Sequence, residues 1–401
     1  MKGLLRKVVV VATMIGLSLF VVSVLALRGP PSVSRAAYGG PSVIATVAVG
    51  DNPVGVAVNP TTNRIYVANW LDDNVSVING ASNTVSDTVA VGDYPWGVAV
   101  DPSTNRIYVV NSSSSADSVS VINGYSNTII GTPVPVGHQP WGAAANPTTN
   151  RIYVTNHNTV DDSVSVIDGM PGSLTENTVI ATVAVGQLPA GVAVNPAPNR
   201  IYVTNAGSDS VSVINGASNT VVGTPIAVGD FPMEVAVNPT TNRIYVANSH
   251  SVSVIDGYSN TVVGTPVPVG VGPLGVAVNP TTNRVYVTDY GTDTVFVIDG
   301  ASNAVVATVA VGSGPYAVAV NPNTNRIYVA NRKANTVSVI EDTPISVGGI
   351  QELPEIAGAE AATGEAAGTD YALWMGIAVA GAAGAVVLGT GLWYTRKRRL
   401  S

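Results

Sequence analysis

Four acidic residues are the part of this sequence that could hold a cation. Asp51, Asp93 and Asp230 each stand two positions before the proline of a Val-Gly-x-x-Pro motif, and Glu234 follows the third of these motifs. Carboxylate oxygens that converge on one point bind hard cations such as Ca²⁺. These four residues are therefore weak candidates for a metal site. The alternative is that they are solvated turn residues.

Aromatic residues gather at the same motif, in a chain with only 6% aromatic residues. Flat rings stack on sugars, prolines or bases. With Glu234, they form the predicted ligand site, for which the ring-bearing candidates are Tyr94, Trp96, Trp141, Phe231 and Tyr316. The alternative is that the rings only seal the interior of the fold.

The composition excludes several kinds of site. The chain has no cysteine, which removes disulfides, thiolate metal sites and cysteine nucleophiles, and three histidines leave little for a histidine-based metal centre. Residues 43–345 carry a net charge of −11. A nucleic-acid-binding protein needs a basic surface, so nucleic acid is not an expected partner. No nucleophile–base pair or phosphate loop is visible, and the sequence predicts no cofactor and no enzyme.

The elements that position these residues follow from an internal repeat. The proline of the Val-Gly-x-x-Pro motif recurs every 41 to 49 residues, at Pro53, Pro95, Pro140, Pro189, Pro232, Pro273 and Pro315. An Asn-Arg pair recurs with it, which gives seven units. Glu234 departs from the repeat, since the other units have Gly or Ala there.

Each of the first six units contains four short β-branched segments, and the turn after the third is Asn-Gly or Asp-Gly, a hairpin signal. Four strands in about 42 residues are typical of a propeller blade. The last unit lacks its fourth strand, while an unassigned strand, 43–49, precedes the first. We therefore predict an all-β, seven-bladed β-propeller over 43–343, closed by that N-terminal strand, which removes two exposed sheet edges.

The second strand of each unit carries a further signature. It reads YVTN at Tyr153 and Tyr202, with close variants at Tyr66, Tyr108, Tyr245, Tyr286 and Tyr328. The sequence thus resembles the YVTN-repeat β-propellers of surface-layer-type proteins. The resemblance implies a surface or periplasmic protein, and the relatives include propeller lactonases and a single-stranded-DNA binder. The ligand set of the enzymatic relatives is not evident here.

The N-terminal and C-terminal segments of the sequence predict that the protein is exported. Residues 1–36 are a signal peptide or an uncleaved anchor, and residues 344–370 form a stalk rich in Ala, Gly and Glu. Residues 371–394 lack charge and are long enough to cross a bilayer, which predicts a transmembrane helix. The basic tail, 395–401, places the C-terminus in the cytoplasm. A wall-sorting signal is the alternative, although its Leu-Pro-x-Thr-Gly motif is incomplete.

These observations predict a single-pass, surface-displayed propeller that binds or scaffolds. Its partners would be the membrane and a cell-envelope protein or glycan at the channel mouth. The alternative is an extracellular hydrolase of the propeller-lactonase type, with a cation near the central channel.

Overall fold

β-Branched residues dominate the repeat, and the described part of the chain forms strands and turns without a helix. The computed structural model describes residues 40–113, 117–158, 160 and 162–343. The predicted signal segment 1–36, stalk 344–370, transmembrane helix 371–394 and tail 395–401 lie outside the described residues. None of the described residues belongs to an apolar helix of membrane-spanning length.

The strands form seven antiparallel sheets, each built around the order first–second–third strand. The first, innermost strands are β2 (Pro53–Asn59), β6 (Pro95–Asp101), β11 (Pro140–Asn146), β15 (Pro189–Asn195), β20 (Val235–Asn238), β25 (Pro273–Asn279) and β29 (Pro315–Asn321). The second strands are β3 (Arg64–Asn69), β7 (Arg106–Asn111), β12 (Arg151–Asn156), β16 (Arg200–Asn205), β21 (Arg243–Ala247), β26 (Arg284–Asp289) and β30 (Arg326–Asn331). The third strands are β4 (Asn74–Asn79), β8 (Ser118–Asn123), β13 (Ser163–Asp168), β17 (Ser210–Asn215), β22 (Ser251–Asp256), β27 (Thr294–Asp299) and β31 (Thr336–Glu341). We number the sheets blades 1 to 7 in the order of their innermost strands.

The fourth, outermost strands are of two kinds. Four are continuous: β5 (Thr84–Ala90), β14 (Val179–Ala184), β28 (Ala304–Ala310) and β1 (Ser42–Ala48). Blades 2, 4 and 5 instead carry two short strands each: β9 (Thr128–Ile129) and β10 (Val134–Pro135), β18 (Thr220–Val221) and β19 (Ile226–Ala227), β23 (Thr261–Val262) and β24 (Val267–Pro268). The break falls at a Gly-Thr-Pro sequence whose glycine has a positive φ (65° at Gly131), and its proline cannot donate to the ladder.

The ring closes as predicted. Strand β1 pairs antiparallel with β31, so that blade 7 has the order β1-β31-β30-β29. Its innermost strand, β29, contacts both β25 of blade 6 and β2 of blade 1. The prediction of a seven-bladed β-propeller closed by an N-terminal strand is therefore confirmed.

The core lies between the blades. Each of seven apolar clusters joins two neighbouring blades and contains the tyrosine of one YVTN-type motif, which is fully buried. Across the closure, Tyr328 of blade 7 packs with Val47 of β1 and with Ile65 and Val67 of blade 1. The tyrosine of the repeat therefore fills the gap between one blade and the next.

Antiparallel strands give the ring two faces. The first-to-second and third-to-fourth turns lie on one, here called the ring face, and the second-to-third and fourth-to-first loops lie on the other, the mouth face. On the ring face, Asn59 Nδ2 donates to Asn105 Oδ1 of the next blade at 2.7 Å, and Asn321 Nδ2 donates to Asn63 Oδ1 across the closure at 2.8 Å. The repeat arginines also reach the next blade, as Arg64 does to the carbonyl of Gly124.

Candidate functional site

Two variable positions in each blade meet on the mouth face. One follows the proline that begins the innermost strand, and the other follows the Asn or Asp of the YVTN-type motif. The first set is Val54, Trp96, Trp141, Ala190, Met233, Leu274 and Tyr316. The second set is Trp70, Ser112, His157, Ala206, Ser249, Tyr290 and Arg332. The aromatic members of both sets lie in blades 6, 7, 1, 2 and 3, whereas blades 4 and 5 have Ala, Met and Ser at these positions.

The aromatic side chains form one continuous group. The ring of Trp96 lies 4.4 Å from that of Trp141, 5.7 Å from that of Tyr316 and 6.1 Å from that of Trp70, measured between centroids. Tyr290 lies 6.4 Å from Tyr316. These five residues, together with Tyr94, which is 5.5 Å from Trp70, are called the mouth cluster below. Four predicted ligand-site residues, Tyr94, Trp96, Trp141 and Tyr316, are thus brought together.

A cationic side chain lies over the mouth cluster. The guanidinium carbon of Arg332 is 5.2 Å from the ring centroid of Trp70, 5.5 Å from that of Tyr316 and 5.8 Å from that of Trp96. Its Nε donates to Asn52 Oδ1 at 3.0 Å, while its terminal nitrogens have no acceptor among the described residues. Lys333 Nζ lies 4.2 Å from the ring of Tyr290. Such contacts are favourable for the cation and orient it over the rings.

A left-handed backbone conformation exposes the residue before the proline to solvent. Tyr94 has φ 54° and Phe231 has φ 50°, in the left-handed region that bulky residues rarely adopt. A carboxylate of the preceding blade holds each one: the amide of Tyr94 donates to Asp73 Oδ1 and that of Phe231 to Asp209 Oδ1, both at 2.8 Å. Phe231 is 49% exposed and has no ring contact with another described aromatic residue, so it stands apart from the mouth cluster.

Glu234 lies below the mouth cluster, in the central channel. All seven blades line a cavity of about 160 Å³, six through their innermost strands and blade 5 through Met233 and Glu234, which directly precede its innermost strand. Trp96, Trp141 and Tyr316 also contribute to the wall. The carboxyl group of Glu234 is surrounded by protein. The side chain is nevertheless partly exposed, because it borders the cavity of the central channel. Burial raises the pKa of Glu234 to about 7, partly opposed by the backbone amide of Val235.

The neighbouring blade packs closely against Glu234. A Cβ built on Gly191 of β15 would lie 2.6 Å from the carbonyl oxygen of Met233 and 2.9 Å from Glu234 Oε2, closer than such atoms normally approach. The equivalent glycines of other blades, such as Gly142, meet the backbone of the next blade in the same way, so Gly191 belongs to the repeat. Blade 5 also begins its innermost strand later than the other blades, at Val235 rather than at the proline. The replacement of Gly or Ala by Glu234 therefore comes with a local change in the channel wall.

Two further titratable side chains belong to the site. Burial raises the pKa of Tyr316, and the charge of Glu234 adds to this rise while that of Arg332 opposes it. Tyr316 therefore interacts with both charges. His157 lies 4.6 Å from the ring of Trp141, and its Nδ1 is 3.1 Å from the carbonyl oxygen of Pro189. Burial lowers the pKa of His157, which favours the neutral ring.

The acidic residues considered for a metal do not converge. Asp51, Asp93 and Asp230 are exposed on the mouth face, and Asp51 Oδ1 accepts from Asn335 Nδ2 at 2.6 Å. Among the described residues, no group of three or more His, Cys, Asp or Glu side chains could hold a metal ion. The donor set therefore does not fit a divalent cation at the channel.

The sequence analysis did not place Arg332, Lys333, His157, Trp70 or Tyr290 among the candidate ligand-site residues, although Trp70 and Tyr290 belong to the aromatic residues that the sequence assigns to the loops of this face. The signal that could have found them is the variable position after the YVTN-type motif, where most of them stand. A second signal is charge: among the lysines and arginines of 43–343, Arg332 and Lys333 are the two that do not belong to the seven repeated Asn-Arg pairs.

Comparisons with known proteins support the fold. A family model described as lactonase, 7-bladed beta-propeller matches residues 275–372, about a quarter of the chain. Comparison with curated proteins gives no match. Among solved structures, the hydrazine synthase of Kuenenia stuttgartiensis is similar, with a TM-score of 0.63 and 22% identity over 72% of this chain and 95% of that chain. At this identity the likeness concerns the fold alone. The chain is a seven-bladed β-propeller with partial similarity to lactonase propellers.

Proposed function

We propose that this protein is a surface-displayed binding module and that its mouth cluster binds a glycan of the cell envelope. The observation that carries the proposal is the continuous group of rings contributed by five consecutive blades beneath Arg332. Partly exposed rings give a sugar faces on which to stack. The free terminal nitrogens of Arg332 add donors for the carboxylate of an acidic sugar.

The charge distribution supports an acidic sugar over a nucleic acid. The propeller is acidic overall, whereas Arg332 and Lys333 are adjacent and both lie at the mouth. Two cations suit one or two anionic groups on a sugar. They do not suit a long polyphosphate, whose binding draws on many basic residues.

A glycan array with the purified full-length protein tests the proposal. We expect binding to a restricted set of glycans, with acidic members strongest, and a loss of about tenfold or more on Trp141→Ala, as for an aromatic residue at the centre of an interface. Tyr125→Ala is the matched control, because Tyr125 is 77% exposed in a third-to-fourth turn on the ring face. A blank array, or equal loss with both variants, would contradict the proposal.

A lactonase-type hydrolase is the second candidate, favoured by the family match and by Glu234. A carboxyl group with a pKa of about 7 in a channel suits a general base that removes a proton from the attacking water. The water oxygen would then bond to the lactone carbonyl carbon, the bond from that carbon to the ring oxygen would break, and the proton held by Glu234 would pass to the departing ring oxygen, which gives a hydroxy acid. The matched residues 275–372 contain Tyr316 and Arg332 but not Glu234.

Lactone hydrolysis separates the two candidates. A hydrolase would open five- or six-membered sugar lactones with release of acid, and Glu234→Gln would lower kcat/KM by about 10²–10⁴-fold. Asp87→Asn, which removes an exposed carboxylate of the outer strand β5, is the control. Absence of turnover, together with glycan binding, favours the binding module.

The surface location is part of the same proposal, as is membership of the YVTN-repeat surface proteins. The supporting features are the apolar segments within 1–36 and 371–394, the basic tail and the seven YVTN-type motifs. Protease treatment of intact cells tests it: we expect the propeller to be degraded while 395–401 stays protected. Full protection of the propeller would contradict an exterior location.

A further inference from the structure

The channel cavity combines one carboxylate with aromatic walls. Among the residues that line it, all of which are described, Glu234 is the only charged one. Trp96, Trp141 and Tyr316 supply rings, and the remaining wall consists of aliphatic residues, methionine and glycine. The side chains of the wall are therefore aromatic or aliphatic except at Glu234, which is the one carboxylic acid among them.

No cation within the described chain neutralises Glu234. The ion pairs of the described residues do not include it, and burial and the Val235 amide are the influences on its pKa. Arg332 lies over Trp70, Trp96 and Tyr316, at the mouth. A buried carboxylate that ionises without a partner is costly, so a cation that enters the cavity would relieve this cost.

The size of the cavity limits what can enter. A volume of about 160 Å³ is close to that of engineered apolar cavities of about 150 Å³, which take up benzene. A small organic head group fits this space, whereas a whole sugar ring with its hydration does not.

We propose that the cavity binds an alkylammonium group, with Glu234 as its counter-ion and the rings of Trp96, Trp141 and Tyr316 as cation–π partners. Aromatic walls with a carboxylate are the arrangement that recognises organic ammonium ions, because the rings attract the spread positive charge while their apolar faces contact its carbon atoms. A bare metal ion would instead need several oxygen ligands, which the described side chains do not supply. This site shares three rings with the mouth cluster, but it differs from the proposed glycan site because it also requires Glu234 and the cavity.

The binding depends on pH through Glu234. The other titratable group in the cavity wall is Tyr316 of β29, whose raised pKa keeps its hydroxyl group neutral in this range. Arg332 and Tyr290 influence Tyr316 but do not line the cavity, and β2, β6, β11, β15 and β25 contribute uncharged residues to the wall. A carboxyl group with a pKa of about 7 is about one-tenth ionised at pH 6 and nine-tenths ionised at pH 8. Affinity for a permanent cation should therefore rise by about tenfold between these two pH values.

Calorimetric titration of the full-length protein with tetramethylammonium and with propylammonium chloride tests the proposal. We expect saturable binding that strengthens by about tenfold from pH 6 to pH 8. In Glu234→Gln, which keeps the shape of the side chain, we expect affinity to fall by about tenfold or more at pH 8 and its pH dependence to disappear. Asp87→Asn should bind as the unaltered protein does, since its carboxylate lies on the outer strand.

Two further variants keep the test sharp if Glu234→Gln alters folding. Trp141→Phe, which retains a π face, should bind within a few-fold of the unaltered protein, whereas Trp141→Leu should bind more weakly. The absence of saturable binding at pH 8, an affinity unaffected by Glu234→Gln, or equal binding of potassium ion would each overturn the proposal. Loss of amine binding with glycan binding intact would overturn this inference alone.

Discussion

The mouth face and the ring face are made from the same repeat but differ in how strictly each blade follows it. On the ring face, six of the seven junctions between blades carry the same Asn–Asn hydrogen bond, and the remaining one uses Ser103, whose Oγ donates to Asn150. On the mouth face, Trp, Tyr, Met, Val, Leu and Ala share a single position. The repeated side chains hold the ring together, and the departures from the repeat build the site.

The largest effect should come from breaking the closure itself. Val47→Asp places a charge at a side chain that is 5% exposed and packs against Tyr328 and Val337, so we expect the free energy of unfolding to fall by several kcal/mol. Chemical denaturation measures the loss. Ile44→Asp is the matched control in the same strand, because Ile44 is 41% exposed and its replacement should change stability by only about 0.5 kcal/mol. Equal effects would mean that β1 does not complete blade 7.

The sequence predicted the ring well because the ring is what the repeat encodes. Seven prolines, seven Asn-Arg pairs and one unassigned strand were enough to deduce the number of blades and the closure. The arginines of these pairs also join the blades, since Arg64 and Arg326, among others, donate to backbone carbonyls of the next blade. Two details were not predicted: six of the seven innermost strands begin at the proline of the motif, and three outer strands are split where Gly-Thr-Pro interrupts them.

The site was predicted only in part because it arises from two positions that lie far apart in the repeat. Trp96 and Tyr316 stand at the start of innermost strands, whereas Arg332 belongs to a second-to-third loop. Only the circular arrangement of the blades places these three side chains within 6 Å of one another. Phe231 lies outside the mouth cluster for a similar reason. Its blade and the one before it carry no aromatic partner at either variable position.

Glu234 departs from the Gly or Ala of the repeat, and its ionisation should make the free energy of unfolding depend on pH. Unfolded glutamate ionises near pH 4.5, whereas folded Glu234 ionises near pH 7. Between these values the folded state holds the extra proton, so the contribution of Glu234 to stability is greatest below about pH 4.5 and is lost as the pH rises to 7. A gap of about 2.5 pH units corresponds to about 3 kcal/mol.

Denaturation of the protein and of Glu234→Gln between pH 4.5 and pH 8 measures this loss. The stability of the unaltered protein relative to the variant should fall by about 3 kcal/mol across the range, since other groups titrate alike in both. A constant difference would show that the carboxyl group is well solvated in the folded state.

The ring face offers the next test, at the Asn–Asn bond that crosses the closure. Asn321→Ala removes a fully buried donor and leaves Asn63 Oδ1 without it, so we expect a loss of about 1–3 kcal/mol in stability and no change in ligand binding at the mouth. Asn323→Ala removes an exposed amide that donates to the carbonyl of Pro60, and should cost much less. A change in glycan or amine affinity with Asn321→Ala would contradict the separation of the two faces.

The smallest predicted effect concerns the threonine of the YVTN motif, where scaffold and site meet. Thr204 Oγ1 donates to the carbonyl of Met233 in the next blade at 2.6 Å and accepts from the amide of Gly191 at 2.8 Å. Thr155 and Thr288 make the equivalent bonds, whereas blades 1, 2, 5 and 7 have Ala or Val at this position and close without them. The bond is therefore an addition to the ring rather than a condition for it.

Thr204→Val should accordingly cost about 1 kcal/mol, the net value of one neutral hydrogen bond, with Thr182→Val on the exposed face of β14 as the control. Because Met233 precedes Glu234, the same substitution should weaken amine binding slightly while leaving glycan binding at Trp141 unchanged. A cost as large as that of Asn321→Ala would mean that the mouth end of the strands holds the blades as firmly as the ring face does. In that case the bonds on the ring face alone would not explain why the residues on the mouth face can differ from blade to blade.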